Sequence, residues 1–235
     1  MRNSRKNQGE RLRVGILGGT FNPIHYGHLR SAEEVRKALL LDEIRFVPSA
    51  LPPHKSQDEV ASAADRLEMV RIALEDYPAY VCDPVEVERG GLSYTLDTWE
   101  ELTRGASDDN NMFFIIGADA FLELGTWHKP KEVLNAVDFA VTLRGNQHSS
   151  AYLEALLRVI QEIEPGYCMG KCLKEAEFTD KKRVIKFVPI TEVDISATRI
   201  RQHIKESYSI RHLLPREVEL FIIRRRLYGH SGTVC

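Results

Sequence analysis

The stretch Gly18-Gly19-Thr20-Phe21-Asn22-Pro23-Ile24-His25-Tyr26-Gly27-His28 limits what this chain can become more than any other. An apolar run, Leu12 to Leu17, precedes it and reads as a buried strand, and from Gly27 to Leu40 the apolar residues recur at helical spacing. The layout is strand, tight loop, helix. Two glycines let the backbone come close to a ligand, because no Cβ stands in the way. The first turn of the helix offers free N–H groups and the positive end of a dipole, which suits an anion such as phosphate. His25 and His28, three residues apart, stand where loop becomes helix and can both point at that anion. The loop is not a Walker A loop, since no Lys-Ser or Lys-Thr follows the glycines, and it is not a Gly-x-Gly-x-x-Gly fingerprint. For H-x-G-H alone, a glycine turn with two surface histidines is the plainer alternative. The flanking Gly-Gly-Thr-Phe and the strand-to-helix setting favour the anion site.

Beyond this stretch, strands and helices alternate. Strands are expected at Glu43 to Pro48, Tyr80 to Val87 (irregular, broken by Pro84), Met112 to Ile116, Phe139 to Leu143 and Val184 to Val188. Helices are expected at Ala64 to Tyr77, from the Ser93 N-cap to about Arg104, at Lys131 to Ala136, Ala151 to Ile163 and Ser196 to Glu206, and from Pro215 near N1 to Tyr228. Ser49 to Ala61, with Pro52-Pro53-His54-Lys55, reads as a surface loop. Such alternation predicts an α/β fold, a Rossmann-like doubly wound parallel sheet in a single domain over residues 11–229. Residues 144–183, aperiodic between Glu164 and Lys182, are read as an insertion packed on that domain. Residues 1–10 and 230–235 are read as flexible tails, the first of them basic. Ligands in such sheets bind beyond the carboxyl ends of the strands. The loops after the first, second, fourth and last strands therefore share one rim.

The 235 residues are 43% hydrophobic and 28% charged with a formal net charge of −2, a balance that gives no global basic field for nucleic acid or a membrane surface. No apolar run approaches the ~18 residues that span a bilayer, and the N-terminus has no apolar core of a secretory signal. The chain is expected in the cytoplasm. Cysteines at 82, 168, 172 and 235 are too scattered for a disulfide framework, and C-x3-C at Cys168 and Cys172, even with His148, is a weak zinc signal. No protein-held metal is expected. Arg224-Arg225-Arg226 suits the C-terminal end of a helix dipole and reads as a solvated face.

Two motifs together resemble the nucleotidylyltransferase superfamily, whose members carry [HT]-x-G-H after the first strand and S-x-T-x-x-[RK] after the last. Here the second is Ile195-Ser196-Ala197-Thr198-Arg199-Ile200-Arg201, with Ser196, Thr198 and Arg201 at the matching positions. Hydroxyls and free amides at a helix N-terminus accept polyphosphate, and an arginine one turn in adds charge. The resemblance implies attack of a phosphate monoester oxygen on the α-phosphorus of a nucleoside triphosphate, with pyrophosphate released. Such transfers rest on positioning and charge neutralisation rather than on a protein nucleophile. It implies His25, His28 and Arg201 as the catalytic set. Gly18, Gly19, Thr20, Phe21, Lys55, Gly117, Asp119, Ile195, Ser196 and Thr198 would bind ATP. Mg2+ would be held mainly by the phosphates of ATP.

Pro52-Pro53-His54-Lys55, Ser93-Tyr94-Thr95, Gly117-Ala118-Asp119 and Thr126-Trp127 are similar to segments of the bacterial nicotinate-nucleotide adenylyltransferases, from about Arg11 to Tyr228 and least across Asn146 to Lys182. That resemblance implies ATP and nicotinate mononucleotide as partners. Trp127 would stack on the pyridine ring, and backbone amides near Thr95 and His128 would hold its carboxylate. His54, Ser93 and Tyr94 would complete the nucleotide site, while Asp119 would take ribose hydroxyls. Each has a plainer role as well: Trp127 as core, Asp119 as an N-cap, Lys55 as a solvated charge, Tyr94 as packing. Asn22 stands where the family commonly has Asp, His128 where it has Tyr, and Leu92 where it has Pro. Adenylyl transfer to nicotinamide mononucleotide or phosphopantetheine is the near alternative, and a non-catalytic nucleotide sensor the distant one. A homo-oligomer stays open.

Overall fold

Phe113 and Ile115 pack into one apolar core while Phe114 and Ile116 pack into another, so the strand that carries them is buried on both faces. The structure, a computed structural model, describes residues 12–51, 60–104, 111–169, 175–178 and 183–229. The expectations for His54, Lys55, Cys172 and both tails lie outside these residues.

The strands are β1 (Val14–Gly19), β2 (Glu43–Pro48), β3 (Tyr80–Cys82), β4 (Met112–Gly117), β5 (Phe139–Leu143), β6 (Tyr167–Met169), β7 (Glu175–Phe178) and β8 (Val184–Pro189). They form one sheet in the order β3-β2-β1-β4-β5-β8-β7-β6. All contacts from β3 across to β8 are parallel. The strand order reverses at β1, between β2 and β4, which is where a doubly wound sheet opens a crevice at its carboxyl edge. Helices α1 (Tyr26–Ala38), α2 (Ala63–Leu74), α8 (Ala197–Lys205) and α9 (Arg216–Arg225) cover one face through Ala32, Val35, Met69, Val70, Ile200, Ile204, Val218 and Ile222. The other face takes α4 (Thr95–Thr103), α6 (Pro130–Ala136) and α7 (Ser150–Ile163) through Leu96, Trp99, Val133, Leu134, Leu156 and Ile160, with the short α5 (Ala118–Leu122) beside them.

Four features differ from expectation. The sheet is mixed, because β7 pairs antiparallel with β8, and β6 with β7, inside the segment read as aperiodic. The expected strand over Tyr80 to Val87 ends at Cys82 and gives way to α3 (Val85–Arg89). Pro84 cannot donate to a ladder, and the Asp83 carboxylate accepts the Val85 N–H at 3.1 Å, which favours a helical turn. Tyr94, not Ser93, is the N-cap of α4; the Ser93 hydroxyl instead accepts the Ala50 N–H at 2.9 Å and ties the two loops together. Pro215 is the N-cap of α9, one position before the one expected.

Candidate active site

Where β1 ends, Gly18 and Gly19 line a cavity of about 490 Å³ together with His25, Gly27 and His28. His25 is the N-cap of α1, in extended backbone, and its ring stacks on that of His28 at 3.7 Å between centroids. A side chain at position 27 would stand 2.9 Å from His25 Nδ1, so only glycine lets the imidazole lie against the helix start. The His25 N–H donates to His28 Nδ1 at 3.2 Å. A neutral His28 is then protonated at Nε2 and offers that N–H as a donor. His25 is buried with its Nδ1 unpartnered, and burial first, then the Arg144 charge, lower its pKa to about 4. At neutral pH it is an uncharged imidazole with hydrogen-bonding capacity to spare. The first turn of α1 carries no acidic residue, which leaves the positive end of its dipole unshielded.

The second motif reaches the same cavity from β8. Ile195, Ser196 and Ala197 line it, and the Ser196 hydroxyl caps α8 by accepting the Arg199 N–H at 3.2 Å. Arg201 lies one turn deeper. Its Nη1 donates to the Asn22 carbonyl at 2.9 Å and its Nη2 reaches the Thr198 hydroxyl at 3.4 Å. Thus the guanidinium touches the turn that leads into His25, while Thr198, Arg201, Thr20 and Phe21 are not among the residues that line the cavity. Phe21 is buried, has a left-handed backbone at φ 47°, and meets the His28 ring edge-on at 5.1 Å.

Gly117, at the end of β4 beside β1, also lines the cavity, and Ser93, Thr95, Ala120 and Trp127 line it where a second recess adjoins. Thr95 opens α4, so its turn presents free N–H groups there. An adjoining recess of about 500 Å³ is shared by Thr95 and Trp127 with Tyr94 and His128, whose rings stack at 4.4 Å. Asp119 is exposed and outside the cavity lining; its carboxylate accepts Gln147 Nε2 at 2.8 Å and the Tyr152 hydroxyl at 3.4 Å.

Several lining residues lie outside the sequence reading, among them Arg144, Thr142 and Glu86. Arg144 follows β5, and the rule that singled out loops at strand ends would have found it had the fifth loop been included. Thr142, buried on β5, donates its hydroxyl to the Ile116 carbonyl at 3.2 Å. Glu86 was hidden by the mistaken strand; it is buried, accepts the Thr98 hydroxyl at 2.6 Å, and burial raises its pKa against the opposing effect of Ser93, Thr98 and nearby arginines. Among the described residues, no group of three or more His, Cys, Asp or Glu could hold a metal ion, and no helix is long and apolar enough to cross a membrane.

The cytidylyltransferase-like family model matches residues 16–203. A protein of Desulfatibacillum aliphaticivorans is 40% identical over 220 residues, covering 92% of this chain and all of its own, and one of Geobacter metallireducens is 38% identical over 221 residues, covering 94% and all of its own. Both are named "Probable nicotinate-nucleotide adenylyltransferase". In fold, the chain is similar to the Plasmodium falciparum nicotinic acid mononucleotide adenylyltransferase solved with NaAD, with a TM-score of 0.69 and 17% identity over 95% of this chain and all of that one.

Proposed function

The chain belongs to the cytidylyltransferase-like family, and within it to the nicotinate-nucleotide adenylyltransferases, and from that premise we propose what its residues do. The enzyme transfers the adenylyl group of ATP to nicotinate mononucleotide, giving nicotinate adenine dinucleotide and pyrophosphate, a step of NAD biosynthesis. The observation that carries this reading is the single cavity lined at one end by His25, His28 and the Ser196 turn and at the other by Thr95 and Trp127.

ATP lies with its phosphates over Gly18, Gly19 and the first turn of α1. His28, donating from Nε2, and neutral His25 hydrogen-bond the equatorial oxygens at the α-phosphorus, where charge builds up in the transition state. The start of α8 receives the leaving pyrophosphate, and Arg201 holds the Asn22 turn and adds positive charge from behind it. Arg144, exposed at the end of β5, faces the same anions. At the other end the Trp127 indole stacks on the pyridine ring, and N–H groups at the start of α4 take its carboxylate. The phosphate of nicotinate mononucleotide then lies in line with the α-phosphorus, and its oxygen attacks without a covalent enzyme intermediate.

Mg2+ fits this donor set as a passenger of ATP: the cavity offers imidazoles, hydroxyls and amides to phosphate, and among the described residues its one lining carboxyl, Glu86, is held by Thr98. The ion supplies neutralisation of phosphate charge. A cytoplasmic location belongs to the same proposal. The test is pyrophosphate release by purified protein given ATP and nicotinate mononucleotide, with the dinucleotide identified by mass. Turnover with nicotinamide mononucleotide or phosphopantetheine but not with the acid would replace this substrate.

A further inference from the structure

Arg66 on α2 is 1% exposed, and among the described residues it forms no ion pair. Its fork instead gathers backbone carbonyls from separate segments. Nη1 donates to Thr20 at 2.8 Å, Nη2 to Ala50 at 2.8 Å and Nε to Ala61 at 3.0 Å. The Ala61 N–H in turn donates to Asn22 Oδ1 at 3.0 Å, and the Tyr228 hydroxyl donates to the same oxygen at 2.8 Å. With Arg201 on the Asn22 carbonyl, the back of the turn after β1 is tied at two alternate carbonyls, Thr20 and Asn22, and through the Asn22 side chain as well.

In a trans peptide the C=O of one residue and the N–H of the next point in opposite directions. Holding the Thr20 carbonyl against Arg66 therefore turns the Phe21 N–H away from the guanidinium. Phe21 has the left-handed backbone that disfavours a residue with a Cβ, so this turn needs an external hold. A buried arginine is costly unless its donors are satisfied, and a planar fork is the side chain that can serve three diverging carbonyls at once.

We propose that Arg66 is a positioning residue for ATP: it sets the conformation of the Gly-Gly-Thr-Phe turn from behind, and with it the geometry in which the triphosphate is held. This inference rests on the nucleotide reading of the cavity but not on the identity of the second substrate. ATP binding is measured alone by calorimetry in Arg66→Met, Arg66→Lys and Arg66→Ala, with circular dichroism to establish folding. Nicotinate mononucleotide binding is measured separately by quenching of tryptophan fluorescence.

Folded Arg66→Met is expected to lose ATP affinity and about 100-fold in kcat while its affinity for nicotinate mononucleotide holds, because a small displacement of reacting groups has that cost. Methylguanidinium is expected to restore part of the ATP affinity to Arg66→Ala and none to His28→Ala. Should Arg66→Met fail to fold, Arg66→Lys carries the test, since an ammonium keeps the charge but cannot span the carbonyls. ATP affinity and kcat at parental values in a folded variant would overturn the proposal. So would equal weakening for both nucleotides, the mark of a purely structural arginine. A parent that binds ATP but does not turn over nicotinate mononucleotide would retire the substrate reading and leave the ATP-binding test of Arg66 in force.

Discussion

At the phosphate end of the cavity the groups that face a ligand are held by backbone: two glycines at the end of β1, an N-cap imidazole, and the opening turns of α1 and α8. At the ring end they are side chains, with Trp127 half-buried and His128 exposed against Tyr94. The phosphate end is also braced from behind by Arg66 and Arg201, which bind main-chain oxygens. On the proposed reading, the phosphates therefore meet main-chain amides and imidazoles held at helix starts, while recognition of a flat ring rests on less buried side chains alone. This contrast makes the two ends respond differently to mutation.

The largest expected effect tests the phosphate end. His28→Ala should lower kcat by about 10²- to 10³-fold, the range for loss of one positioned transition-state donor, in a protein that melts near the parent's temperature. Near-parental turnover in that variant would remove His28 from the reaction and break the contrast at its stronger side.

His25 offers the next effect, read as stability against pH. Its pKa falls from 6.5 in the unfolded chain to about 4 in the fold. Between those values the unfolded state binds the extra proton. The stability held by neutral His25 is therefore fully present above pH 6.5 and drains away as pH falls toward 4. The shift corresponds to on the order of 3 kcal/mol. Urea unfolding at neutral and mildly acidic pH should show a steeper loss for the parent than for His25→Asn, and parallel slopes would mean that His25 is not held neutral by burial.

How far all this could be read from residues alone follows the same division. Motifs made of side-chain types announced themselves: H-x-G-H after an apolar strand, the Ser196 cap, and MFFII as a strand buried on both faces, all of which the fold places as expected. What stayed hidden was set by pairing partners that the residue types themselves do not specify. Glu175-Ala176-Glu177-Phe178 has neither the length nor the apolar content of a free-standing strand signal, and its state comes from pairing with β8. Arg66 left one trace only, a charge on the stripe formed with Met69, Val70 and Ala73, because its partners are carbonyls, which every residue type carries.

At the ring end, Trp127→Ala should weaken nicotinate mononucleotide binding by about tenfold or more, since stacking on a base-like ring is worth roughly 1–3 kcal/mol, with ATP affinity unchanged. Equal weakening of both would make the indole a packing residue of the core it also touches, and would leave the ring end without its main recognition element.

The smallest effect probes whether bracing at the phosphate end extends to exposed contacts. The Glu34 carboxylate on α1 accepts both the Thr191 N–H at 2.6 Å and its hydroxyl at 2.7 Å, joining the helix of the first motif to the loop that leads into the second. Thr191 is exposed and Arg30 also pairs with Glu34, so solvent screening limits what the link contributes. An amide at position 34 keeps one acceptor oxygen and loses the charge. Glu34→Gln should therefore raise KM for ATP by no more than about threefold, in keeping with less than ~1 kcal/mol for an exposed charged contact. It should leave the affinity for nicotinate mononucleotide alone. Thr191→Val, which removes the hydroxyl but not the N–H, should give a smaller shift in the same direction. If the two variants instead weaken the ring-binding nucleotide as much as ATP, the two ends of the cavity move as one body, and the separation between a fixed phosphate frame and an adjustable ring site does not hold.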